Sequence, residues 1–250
     1  MCGRYTLAAN VAQVAARFGA SLAGATGEGG AAEAEAVGQA QALTDLDGPR
    51  FNLAPGQLHP VVALVGGGRQ VTAMTWGLVP RWAREPSARY STINARAETV
   101  AAKPTYRGPL RQGRCLVPAS GFYEWQGSGK SKQPYYMQVV GDAGPGALFA
   151  FAGLYDCWRS PDGVALWSYT IITTTANSRL TAIHERMPVI LPAEAEAAWL
   201  DPQAGEAAWL DLLRPYAPAA MTAHPVATLV NRPTCDGADL IQPWTAAAVV

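Results

Sequence analysis

A chain of 250 residues, 49% of them hydrophobic, is long enough for one large domain with its own core. Its 19 basic and 19 acidic side chains cancel, so no overall charge draws it to a polyanion. No apolar run reaches the ~20 residues of a membrane span, and the start lacks a charged region followed by an apolar one, so neither membrane insertion nor secretion is expected and the protein reads as cytoplasmic.

In chain order, MCGRYTL comes first and places a thiol at position 2. VAQVAARFG follows, with Val11, Val14, Ala15 and Phe18 at helical spacing. Residues 19–48 are almost entirely Ala, Gly and acid with little to bury, which predicts a mobile insertion that contains at most an exposed helix over AAEAEAVGQAQAL. Strand-like runs then dominate: PVVALV, VTAMTWGLV, GRCLVPA, GFYEW, PYYMQVV, ALFAFAGLYD and SYTIITTTA, separated by Gly and Pro. GGG at 66–68 reads as a hairpin tip. Helices are predicted around Arg96 to Ala102, around Ser178 to Ile183, and in AEAEAAWLD and GEAAWLDLLRPY. No βαβ rhythm is present, so the fold class is α+β: a curved, largely antiparallel sheet with helices interspersed, in a single domain spanning 1–250.

Cys2, Cys115, Cys157 and Cys235 show neither CxxC nor Cys/His metal spacing, so no metal and no disulfide is expected. Cys115, Cys157 and Cys235 read as buried small hydrophobes. Cys2 is different. Loss of Met1 would leave it as the terminus, with an α-amine near pKa ~8 beside a thiol. That 1,2-aminothiol can attack an aldehyde through nitrogen and close a five-membered thiazolidine through sulfur. The same group can also act as a thiolate on an amide, with its own amine as base.

Other polar residues sit among apolar ones. Asn94 in STINARAET can cap a turn or hold another group by its amide. Glu124 in GFYEWQ lies between Tyr123 and Trp125, where desolvation would raise its pKa; pairing with an arginine is the alternative. His184 in IHERMPVIL is one of three histidines and suits proton transfer near neutral pH, although a structural role is equally open to it. From Trp76 to Arg114 eight basic residues (Arg81, Arg84, Arg89, Arg96, Lys103, Arg107, Arg111, Arg114) face two acidic ones, Glu85 and Glu98. Such a stretch suits phosphate if folding gathers it on one face. Within it WGLVPRWA sets Trp76 and Trp82 around Arg81, a nucleic-acid-binding candidate that can stack bases or fill the core.

Taken in order, MCGRY, FNLAPGQ, WGLVPRWA, STINARAET, CLVPASGFYEW, IHERMPVIL and the closing HPV and LIQPW resemble the SRAP family, the abasic-site processing proteins first grouped as SOS-response-associated peptidases. The resemblance spans nearly the whole chain and departs from it at the 19–48 insertion. It implies a monomer that binds single-stranded DNA at an abasic site and joins it covalently, without metal or organic cofactor. It also implies lyase and self-processing peptidase activities. By this resemblance Cys2 crosslinks, Asn94 holds the terminus, Glu124 is the acid/base carboxylate and His184 assists proton transfer. Arg4, Arg96 and Arg186 are implied phosphate contacts, with Trp76 and Trp125 shaping the DNA path. Two other classes compete: a glutamine amidotransferase with an N-terminal cysteine, for which no RGPD-type or NGEI-type segment is found, and a non-catalytic single-stranded DNA-binding module.

Overall fold

In a computed structural model of the chain, residues 2–24, 30–86, 92–129, 132–141, 144–145 and 147–244 are described. β1 (Arg4–Leu7) leads into α1 (Val11–Phe18), followed by β2 (Ser21–Leu22), α2 (Gly30–Asp45), β3 (Arg50–Leu53), β4 (Leu58–Val65), β5 (Gly68–Trp76) and β6 (Asn94–Arg96). Next come α3 (Pro104–Gln112), β7 (Arg114–Ala119), β8 (Gly121–Gln126), β9 (Gln133–Gly141), β10 (Gly144–Pro145), β11 (Phe149–Arg159) and β12 (Ala165–Thr175). β13 (Arg186–Pro188), β14 (Ile190–Leu191), α4 (Glu196–Leu200), α5 (Glu206–Asp211) and β15 (Met221–Pro225) complete the order.

Among the described residues nine strands form one sheet and six the other. In the larger sheet β12, β11, β7, β4 and β5 are neighbours in turn. β5 then pairs in parallel with β12, Ser168 opposite Thr75 and Tyr169 opposite Trp76. That contact closes the five strands into a barrel, the arrangement that removes edges from a curved sheet. In the six-stranded sheet β1 lies between β3 and β8, and β15 adds to β9. The fold class expected from the sequence is the one observed.

Local chemistry explains the elements. α1 opens on a capping box in which Asn10 Oδ1 accepts from Gln13 N–H and Gln13 Oε1 accepts from Asn10 N–H. The β4–β5 hairpin turns through Gly66 (φ 60°) and Gly67 (φ 83°), two consecutive positive φ angles that suit a tight hairpin twist. At Gly121 a Cβ would lie 2.2 Å from the Tyr136 hydroxyl. That hydroxyl is bonded to Thr6, which also bonds Ser120, so only glycine lets β8 pass this buried network.

Three expectations are corrected. The helix read around Arg96 to Ala102 is strand β6 and a 3-10 turn at Ala97–Thr99, because Asn94 to Arg96 pair in parallel with Ile171 to Thr173. The helix lies further on, at Pro104–Gln112, with proline in its first turn where no N–H is needed. Ser178 to Ile183 form turns, because Asn177 Oδ1 takes the N–H groups of Arg179 and Leu180. The helix read over GEAAWLDLLRPY is shorter, Glu206–Asp211.

Within the insertion, residues 25–29 lie outside the described residues. α2 does more than stand exposed: Leu43 is buried in the core, and Gln39 Oε1 accepts the Ala73 N–H of β5 at 2.8 Å. That N–H lies between the stretch of β5 paired with β2 and the stretch paired with β12, so the helix satisfies a donor no strand reaches.

Candidate active site

Cys2 precedes β1 and is fully buried. β1 runs antiparallel to β8 with Arg4 opposite Tyr123 and Tyr5 opposite Phe122, so the same register brings Gly3 level with Glu124. β6 approaches from the barrel and its Asn94 Nδ2 donates to the Cys2 carbonyl at 2.7 Å. Asn94 is held in turn by Tyr106, whose hydroxyl donates to the Asn94 carbonyl at 3.2 Å. Asn94 Oδ1 is buried with no hydrogen-bond partner among the described residues. Behind the cysteine the Tyr5 and Tyr169 hydroxyls meet at 2.8 Å.

Glu124 is 2% exposed. Burial pushes its carboxyl above the ordinary glutamate range, opposed by the positive charge of the chain terminus and by His184. The Cys2 thiol is also pushed up, by burial first and then by the Glu124 charge. His184 sits in the turn before β13, where its Nδ1 accepts the Arg186 N–H at 2.9 Å. A ring nitrogen that accepts carries no proton, so the neutral ring bears its hydrogen on Nε2. The other histidines have structural positions. Burial lowers His59 to about 4, with Nε2 against the Ala54 carbonyl, and His224 Nε2 meets the Ile241 carbonyl.

The four residues expected to act together thus converge, Asn94 by a direct bond and Glu124 through its electrostatic coupling to both Cys2 and His184. The expected DNA contacts divide. Arg96 is exposed. Arg4 is half-buried, and its guanidinium donates to Asn52 Oδ1 and to the Val230 carbonyl, both at 2.9 Å. Arg81 bonds Asp156 through Nε at 2.8 Å yet stays 59% exposed. Arg186 is buried and forks onto the Glu98 carboxylate at 2.6 and 3.0 Å, so it is committed to holding the His184 turn. Trp125 is half-buried with its Nε1 on Asn231.

Trp76 is corrected. It is 1% exposed, its ring stacks on Tyr169 with centroids 6.3 Å apart, and its Nε1 donates to the Ile93 carbonyl, so it presents no face to a base. Trp82, at 64% exposure, is the indole of that segment that faces solvent. Of the basic stretch, Arg114 is also internal, lying 3.6 Å from the centroid of the Trp209 ring and donating to the carbonyls of Trp199 and Leu110. Arg89 lies outside the described residues. Sequence reasoning missed Asn52, Glu98 and Asp156, the partners that orient Arg4, Arg186 and Arg81. Asn52 lay in the FNLAPGQ block, but nothing local signalled its partner 48 residues away. All four cysteines are unpaired; Cys115 is buried as expected, whereas Cys157 and Cys235 are only half-buried.

The barrel and its neighbouring sheet thus bring the amino end of the chain, at Cys2, against Asn94 and into the register that sets Gly3 level with the buried Glu124. The chain belongs to the SOS response associated peptidase (SRAP) family, whose model matches residues 1–233. It is 41% identical over 196 residues to the abasic site processing protein YoqW of Bacillus subtilis (strain 168), covering 78% of this chain and 86% of that one. It is 37% identical over 211 residues to the abasic site processing protein HMCES of Xenopus tropicalis, covering 73% of this chain and 62% of that one. A crystal structure of a Bacteroides thetaiotaomicron protein matches with a TM-score of 0.79 at 29% identity, covering 98% of this chain and 100% of that one.

Proposed function

We propose that this protein processes abasic sites by crosslinking to them in single-stranded DNA, through Cys2 once Met1 has been removed. The observation that carries the reading is the 2.7 Å bond from Asn94 to the Cys2 carbonyl, beside a buried carboxyl whose proton affinity is raised. The names of its relatives agree with this substrate. An abasic deoxyribose in its open form is an aldehyde. The freed α-amine, deprotonated by Glu124 or His184, adds to C1′; loss of water gives the imine. Asn94 Oδ1, buried and without a partner among the described residues, is an acceptor on offer to the amine N–H, and the Asn94–Cys2 bond limits rotation of the residue. The thiol then adds across the C=N bond, sulfur to carbon and proton to nitrogen, and a thiazolidine remains. Ring closure removes the imine that would otherwise promote β-elimination, so strand cleavage is the side reaction.

The order is nitrogen first and sulfur second, because the amine is the group that condenses with an aldehyde and the thiol then closes the ring. The test is incubation with abasic and intact single strands, followed by a denaturing gel. Protein that begins at Cys2 should give a stable adduct with the abasic strand alone. Protein carrying a tag ahead of Met1 should give none, because an amide nitrogen is not nucleophilic. Full crosslinking by the tagged form would sink the thiazolidine reading, and binding without any adduct would leave a non-catalytic module.

A further inference from the structure

Away from Cys2, a groove of about 800 Å³ opens between α3 and the turn at Arg81 and Trp82. Arg107, Gly108 and Arg111 line one wall, Arg107 and Gly108 lying four and three residues before Arg111 on α3. Arg81 lines the other wall, fixed from beneath by Asp156, which is 2% exposed and accepts from both its backbone N–H and its Nε. Arg107 and Arg111 are exposed, and the acidic contact that Arg111 makes among the described residues, Glu206 at 3.3 Å, is itself 40% exposed and therefore weak. Trp82 stands at the rim with an open ring face. The groove floor is rigid: the Tyr155 N–H bonds the Gly113 carbonyl, so the end of α3 is pinned to β11 beside Asp156.

The distance to the reactive centre follows from the sheet. Asn94 is level with Ile171 on one side of β12, and Asp156 is level with Ser168 on the other. Three residues along a strand and two strand spacings across put the two about 14 Å apart.

We propose that this groove is a second nucleic-acid site, in which Arg81, Arg107 and Arg111 bind backbone phosphates of a strand that also passes Cys2, with Trp82 stacking a flanking base. The inference rests on the single-stranded DNA reading of the previous section, but not on covalent chemistry. Three arginines with one buried acid suit a repeated phosphate, and a lone indole suits a base of any sequence.

Noncovalent binding of an intact, base-carrying 12-nucleotide strand tests the proposal and needs no crosslink, so it can fail or succeed separately from the Cys2 mechanism. Affinity is measured against salt for wild type, for the double variant Arg107→Ala and Arg111→Ala, and for Gly108→Glu. A Cβ at Gly108 meets nothing within 4 Å and its φ is not positive, so Gly108→Glu adds a charge without a clash, and Gly108→Ala is its neutral control. Two lost phosphate contacts should reduce the salt slope by about 1.4, at about 0.7 per contact. Gly108→Glu should bind about tenfold more weakly at low salt while Gly108→Ala binds as wild type does. A wild-type slope in the double variant, equal losses in Gly108→Glu and Gly108→Ala, or no binding of the intact strand by wild type would each overturn the proposal.

Discussion

Replacing Asn94 by alanine removes one donor from one carbonyl, and its consequences can be worked from the geometry. The Nδ2–H to Cys2 carbonyl bond is 2.7 Å long and Cys2 is fully buried, so no solvent takes the place of the lost donor. Leaving a buried acceptor unsatisfied costs about 1–3 kcal/mol. Because the carbonyl belongs to the reacting residue, that loss falls on the orientation of the amine and thiol. Each 1.36 kcal/mol is about tenfold in rate, so crosslinking should slow by between about fivefold and a hundredfold. Single-turnover incubation with a saturating abasic strand, quenched into denaturant and resolved on a gel, reads this rate. Noncovalent affinity for an intact strand should change much less, and the melting temperature should fall by about 2–4 °C for each kcal/mol lost. Asn94→Asp keeps the size but turns oxygen toward oxygen, so it should do no better than alanine. Wild-type crosslinking rates in Asn94→Ala would refute the argument, since Cys2 would then be positioned by something else.

Glu124→Gln should slow crosslinking more than binding and at the same time stabilise the protein. The folded carboxyl has a raised pKa, chiefly from burial, so its charged form is the one the fold disfavours. That destabilisation is absent below the ordinary glutamate pKa of about 4.3 and grows as pH rises through the raised folded value. Thermal melts at acidic and at neutral-to-basic pH should show a gain for Glu124→Gln only in the latter; an equal gain at both would mean the charge is not its source. Cys2→Ser keeps the amine but closes a ring far less readily, so the stable adduct should disappear while a borohydride-trappable one persists; a stable adduct at wild-type yield without reductant would remove sulfur from the mechanism. Trp76→Ala should destabilise the barrel by about 3–5 kcal/mol in denaturant unfolding, whereas Trp125→Ala, whose ring is half-buried, should weaken strand binding with the smaller stability change. A stable Trp76→Ala protein that has lost only DNA binding would return that indole to the DNA path.

Strand positions were readable from short apolar runs because side-chain burial along a strand is a local pattern, and the tip at Gly66 and Gly67 was readable because two positive φ angles call for glycine. α3 escaped notice because PTYRGPLRQ carries two prolines and a glycine, and its helicity comes from packing Tyr106 and Leu110 against the barrel. The proposed aminothiol chemistry starts from one residue, because loss of Met1 would give Cys2 both groups, whereas the bond from Asn94 to its carbonyl is set by the fold. Which tryptophan of WGLVPRWA faces solvent was not legible: Trp76 and Trp82 have the same side chain, and only the parallel contact between β5 and β12 puts the first inside. The arginines follow the same rule. Arg81 finds its acid 75 residues away and Arg186 finds Glu98 88 residues away, so the sequence determined which cations exist, while the fold decided that Arg186 is buried and Arg81 keeps a face toward solvent, because an ion pair forms over a few ångströms of space whatever the separation along the chain.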